Sequence, residues 1–105
     1  MLRIPREIFK EIVEHGEKEA PLEACGYLTG RSAFVEGNII MTNIDRSPDH
    51  FSFDPREQFT AVKTARANGQ ELVAVWHTHP ASPTSISPVY FMSILCNCTS
   101  PLVVR

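Results

Sequence analysis

The run Leu72-Val73-Ala74-Val75-Trp76 breaks off at His77-Thr78-His79-Pro80, and no other stretch constrains the fold as strongly. An apolar, β-branched segment of this kind reads as a buried strand, and Pro80, Pro83 and Pro88 forbid its regular continuation. The two histidines therefore stand where a strand opens into a loop, with rigid backbone on one side and solvent on the other. Residues i and i+2 of a strand share a face and lie about 6.5 Å apart along the backbone, so two imidazoles placed this way can share one ion. Zinc is the expected ion, because histidine nitrogens bind it at about 2.0–2.1 Å and a hydrolytic zinc takes three protein ligands and keeps one open position. The bland alternative, a pair of loop histidines bonded to nearby carbonyls, needs neither the strand end nor the solvent access.

Upstream, Pro21-Leu22-Glu23-Ala24-Cys25-Gly26-Tyr27-Leu28-Thr29-Gly30 sets a carboxylate at the head of a strand of small residues, with Glu23 placed 54 positions before His77. Hydrolysis of an amide needs a base that takes a proton from the attacking water and returns it to the leaving amine, and Glu23 is the candidate. Read alone, Glu23 would be a solvated surface acid. It gains meaning only beside the histidines.

The rest of the chain is read as one mixed α and β domain. Ile8, Phe9, Ile12 and Val13 make one face of a helix opened by Pro5 and closing near Gly16. A strand over residues 25–28 follows, and Phe34-Val35 and Ile39-Ile40-Met41 flank Glu36-Gly37-Asn38 as a hairpin turn. A polar loop from Asp45 to Phe53 leads to Pro55, which starts a second helix with Phe59, Val62 and Ala65 facing inward until Asn68-Gly69 stops it. The last clear strand is residues 72–76. Ser87 before Pro88 also suits a helix N-cap.

At 105 residues, 43% hydrophobic and a formal charge of −2, the chain has apolar residues enough for one small core. Its basic residues are scattered, which excludes a phosphate-tracking surface for nucleic acid. No apolar run is long enough to span a membrane and no signal segment follows Met1, so a cytoplasmic location is expected. Three cysteines without framework spacing fit a reducing compartment.

These blocks together resemble the JAMM family of MPN-type zinc metallopeptidases, specifically its short prokaryotic single-domain members with a JAB domain. Glu23 in Glu-Ala-Cys-Gly-Tyr-Leu-Thr-Gly is similar to the family's glutamate block, Asn43 through Pro55 to its central loop, and His77-Thr78-His79-Pro80 to its signature. The resemblance implies an MPN/cytidine-deaminase-like layered α+β fold, with a mixed central sheet flanked by helices. It implies His77 and His79 as ligands of one zinc ion, Glu23 as general acid/base, and Ser87, which follows His79 after seven intervening residues, as the hydroxyl that assists the oxyanion. It also implies protein or peptide substrates, at the glycine-ended tails of ubiquitin-like or sulfur-carrier proteins, held extended at a sheet edge.

The departure from the family pattern is Tyr90, which stands where the family has an aspartate as third metal ligand. A phenol has an ordinary pKa near 10, so at neutral pH the metal itself must displace its proton. Weakened zinc binding is the expectation, with Cys96, Cys98, Asp49 or Asp54 as the available substitutes. The segment after Ser87 also differs from the family, so the domain is expected to be C-terminally abbreviated, with an open edge at Leu102 to Val104 where a homodimer can form. Two readings follow: a zinc-dependent peptidase, or an MPN-like protein-association module that lacks a complete zinc site. A DNA-repair relative sharing His-x-His-Pro fits the Glu23 block and the neutral surface less well.

Overall fold

A computed structural model describes residues 2–79, 92–96 and 102–104. Along the chain these form β1 (Leu2–Ile4), α1 (Arg6–Glu19), β2 (Cys25–Arg31), β3 (Phe34–Met41), α2 (Pro55–Ala67), β4 (Glu71–Thr78), β5 (Met92–Cys96) and β6 (Leu102–Val104). The strands make one six-stranded sheet in the order β5-β4-β2-β3-β1-β6. It is mixed: β1 runs parallel to β3 and β6, and the β2–β3, β2–β4 and β4–β5 pairs are antiparallel. The expected α+β class with a mixed central sheet is what the chain adopts.

Each face of the sheet carries its own cluster. On one, Ile8 and Ile12 of α1 pack with Leu2, Ile4, Leu28, Ala74 and Trp76. On the other, Cys25, Tyr27 and Met41 pack with Ala61 of α2 and with Phe51 and Phe53 of the loop before it. Strand alternation assigns the faces, because the paired Cys25 and His77 point to the α2 side while Trp76 and Thr78 point to the α1 side.

Four local expectations need correction. Helix α1 runs past Gly16, which continues the buried stripe of Ile8 and Ile12 at four-residue spacing; the helix ends at Glu19, ahead of Pro21. Glu36-Gly37-Asn38 is the middle of β3, and the chain reverses instead at residues 32–33, where Ser32 takes φ 54°. Gly37 is required for another reason: a Cβ there would lie 2.5 Å from Thr29 Oγ1 across the strand pair. Strand β4 continues to Thr78, so His77 lies inside the ladder. Phe59 is 65% exposed, with Lys63 over its ring at 5.4 Å; Ala61 and Ala65 make the inward face of α2, whose short side chains let the helix approach the sheet. Strand β1 was not anticipated, its three residues being too few to show a period.

Candidate metal centre

The end of β4 and the segment entering β2 are brought side by side by the antiparallel register Cys25↔His77. One step beyond that pair, Thr78 N–H donates to Ala24 O at 3.0 Å and Ala24 N–H donates to Thr78 Oγ1 at 2.9 Å. Thr78 is fully buried, so its hydroxyl stands in for the ladder partner that Ala24 would otherwise lack. The loop after β3 holds the same segment from the other side. Glu23 N–H donates to Ser47 O at 2.8 Å, and Asn43 Nδ2 donates to Glu23 O at 2.9 Å and to His50 O at 3.0 Å.

These restraints deliver Glu23, His77 and His79 to one point, with a potential ligand atom from each within 4.8 Å of the others. Glu23 is only 3% exposed, yet among the described residues its carboxylate accepts no hydrogen bond. Its Oε1 lies 2.6 Å from His77 Nδ1, but His77 Nδ1 is a buried nitrogen without a hydrogen bond, so the oxygen sits off the ring N–H direction. Two polar atoms this close, both withdrawn from water and not bonded to each other, are arranged for a shared third party. A buried carboxylate costs several kcal/mol unless a positive charge accompanies it, and two imidazoles with a carboxylate form a donor set suited to zinc. The residues present therefore fit a divalent ion of that kind. The rings are held by packing: Phe51 lies on His77 at 4.8 Å between centroids with 31° between planes, and His77 meets His79 edge-on at 4.6 Å.

Cys25 lies next to the group on the same face of the sheet, fully buried. Burial, then the charges of Glu57 and Glu23, push its thiol up to about 12, so it stays protonated and contributes packing.

Of the residues named from sequence, Glu23, His77 and His79 are together. Asp54 is not with them: it caps α2 by accepting from Arg56 N–H at 2.9 Å. Asp49 is also apart, exposed and accepting from Ser47 Oγ at 2.6 Å. Ser87, Tyr90 and Cys98 lie outside the described residues, and for Cys96 the main chain alone is described, opposite Ala74 on β5. Sequence reasoning missed Thr78, Asn43 and Phe51. The signal for Thr78 was strand parity, since the residue between two outward histidines must face the opposite, buried side.

A family model described as prokaryotic homologs of the JAB domain matches residues 5–88. The chain is 35% identical over 89 residues to a probable TtuB-protein conjugate cleaving protease of Thermus thermophilus, a match covering 84% of this chain and 60% of that protein. It is 32% identical over 84 residues to the CysO-cysteine peptidase of Mycobacterium tuberculosis, covering 78% of this chain and 58% of that one. It is 30% identical over 82 residues to a desampylase of Pyrococcus furiosus, with the same 78% and 58% coverage. The solution structure of protein DSY2949 from Desulfitobacterium hafniense superposes with a TM-score of 0.73 at 40% identity, over 86% of this chain and 64% of that one. The chain thus spans about 60% of the length of the curated relatives it matches.

Proposed function

The chain belongs to the family of prokaryotic homologs of the JAB domain, and from that premise we propose that it is a zinc-dependent peptidase or isopeptidase acting in the cytoplasm. The observation that carries the reading is the convergence of Glu23, His77 and His79, with a 3%-exposed carboxylate set against an unbonded imidazole nitrogen. The substrates are amide bonds at the tails of ubiquitin-like or sulfur-carrier proteins. What supports this is the activity the relatives are named for: a probable TtuB-protein conjugate cleaving protease, a CysO-cysteine peptidase and a desampylase. Among the described residues no helix is long and apolar enough to cross a membrane.

His77 and His79 would hold the zinc, which when bound supplies Lewis acidity to the attacking water and the scissile carbonyl. Glu23 takes the proton of the attacking water and passes it to the leaving amine, a shuttle favoured by its burial and by the main-chain tethers that fix its position. Ser87 donates to the oxygen of the tetrahedral intermediate.

Tyr90 in place of the expected aspartate favours a second reading, in which the domain associates with proteins and binds no zinc. Elemental mass spectrometry after dialysis against a mild chelator, with peptide hydrolysis measured alongside, separates the two. In the peptidase, Glu23→Gln keeps zinc and loses about 10²–10⁴ in rate, whereas His77→Ala loses both. Zinc retained only in Tyr90→Asp would establish the association module, and zinc in no variant would sink the metal centre altogether.

A further inference from the structure

A histidine that ligates a metal is ordinarily oriented by a hydrogen bond from its other ring nitrogen. His77 lacks such a bond among the described residues, its Nδ1 meeting Glu23 Oε1 at 2.6 Å without the alignment of one. What lies on the imidazole is Phe51, at 4.8 Å between centroids, backed in turn by Phe53 at 5.3 Å. Phe51 does not anchor itself: among the described residues its own main chain makes no hydrogen bond. Its two neighbours are anchored, and both by the same two residues. Asn43 holds their main chain, donating from Nδ2 to His50 O at 3.0 Å and accepting from Ser52 N–H on Oδ1 at 3.3 Å. Asp45 holds their side chains, Oδ2 accepting from Ser52 Oγ at 2.6 Å and standing 3.0 Å from His50 Nδ1. A carboxylate only accepts, so His50 carries a proton on Nδ1.

Asp45 is thus a clasp with one arm on each side of Phe51. Its own place is set by its N–H, which donates at 3.1 Å to the same Asn43 Oδ1 that receives Ser52 N–H. The Ser52 bond, aided by His50, holds the Asp45 carboxyl below its ordinary value, so it is ionised at neutral pH and its bonds are of the stronger, charge-assisted kind. Asn43 also bonds Glu23 O, so its loss would disturb the carboxylate and the imidazole together. Asp45 separates the two, because it stands outside the group of Glu23, His77 and His79 and among the described residues bonds to none of them. We propose that Asp45 is a positioning residue for His77: by gripping His50 and Ser52 it seats Phe51 on the imidazole and holds that ring ready for zinc. The inference rests on the metal centre of the proposed function and concerns how one of its ligands is held before the ion arrives.

The test is a double-mutant cycle of Asp45→Ala and Phe51→Leu in the full chain, read by zinc affinity in competition with a chromophoric chelator. NMR signals of the His77 imidazole are recorded without zinc, since the Phe51 ring shifts the protons it faces. Each single variant should lose about tenfold in zinc affinity. The double variant should lose no more than Phe51→Leu alone, because the clasp acts only through the ring it seats. Asp45→Asn keeps one acceptor oxygen and should fall between the unaltered chain and Asp45→Ala, and it serves in place of the alanine variant if that one does not fold. The His77 signals should move in Asp45→Ala in the same direction as in Phe51→Leu. Unaltered affinity in Asp45→Ala, losses that add in the double variant, or His77 signals indifferent to Asp45 overturn the proposal. Peptide hydrolysis is followed in parallel. Zinc bound and hydrolysis retained equally in every variant would refute the role of Asp45 and leave the peptidase reading standing. Zinc in none, the unaltered chain included, would refute the metal centre, and the imidazole signals would then decide the seating of Phe51 by themselves.

Discussion

Thr78→Val isolates the clamp that aligns the two halves of the metal group. Valine keeps the shape of threonine and removes Oγ1, the acceptor for Ala24 N–H at 2.9 Å. Thr78 is 0% and Ala24 3% exposed, so water cannot replace the lost partner without opening the sheet. An orphaned buried N–H costs about 1–3 kcal/mol, and each kcal/mol moves the thermal midpoint of a domain of this size by about 4–8 °C. The midpoint should therefore fall by at least about 4 °C, and the urea midpoint should fall with an unchanged slope. The second readout is local: amide exchange at Ala24 should accelerate, and zinc affinity should weaken, because the residue beside Glu23 has lost its tether to β4. Thr78→Ser keeps the oxygen and should leave Ala24 protected. Wild-type stability together with wild-type exchange at Ala24 in Thr78→Val would refute the reasoning, since the N–H would then have another partner.

Three further outcomes follow from the same contacts. With its thiol pushed up to about 12 and its side chain fully buried, Cys25 should resist alkylation in the folded chain and react on denaturation; labelling at the native rate of a free thiol would contradict its placement. The Ser52 hydroxyl, aided by His50, holds the Asp45 carboxyl below its ordinary value. A carboxyl lowered by folding contributes stability that is complete above about pH 4 and is lost as pH falls through the folded pKa, so the 43–52 loop should loosen in acid. Loop NMR signals unchanged down to pH 2 would count against this. Finally, a Cβ at Gly26 would lie 2.6 Å from Trp76 ring carbons and from Ile39 O, so Gly26→Ala should cost about 1–3 kcal/mol by denaturant melting; a neutral effect would mean the Trp76 ring has room to move.

What was legible in the sequence was whatever a short-range pattern dictates. The β-branched run ending in prolines fixed β4 to within two residues at its end, and Pro55 and Asn68-Gly69 bracketed α2 as observed. The errors came where a tertiary contact chose between local options. Gly37 reads as a turn residue, but it is needed because Thr29 crosses it, and the actual turn at Ser32 carries no Gly or Asn to announce its positive φ. Phe59 reads as core, yet the face of α2 that meets the sheet is the one whose side chains are smallest. At the site, the ligand types were visible because His-x-His and strand periodicity suffice. The clamp from Thr78 to Ala24 spans 54 positions and has no local signature.

The way Glu23 is held bears on how such a site can be both stable and reactive. Its amide and carbonyl are bonded, to Ser47 and Asn43, and its neighbour Ala24 is bonded twice to Thr78. Among the described residues its carboxylate, 3% exposed, meets only His77 Nδ1, at 2.6 Å. Hydrogen-bonded restraint is thus applied through the main chain, and acceptor capacity beyond the His77 contact is left for an ion, a water or a departing amine. A carboxylate fixed by side-chain hydrogen bonds would be equally well placed, but those donors would favour its charged form and oppose the proton transfer it has to perform. Separating position from protonation in this way predicts that Asn43 variants disturb where Glu23 lies, and that Glu23→Gln leaves the fold and the histidine pair intact.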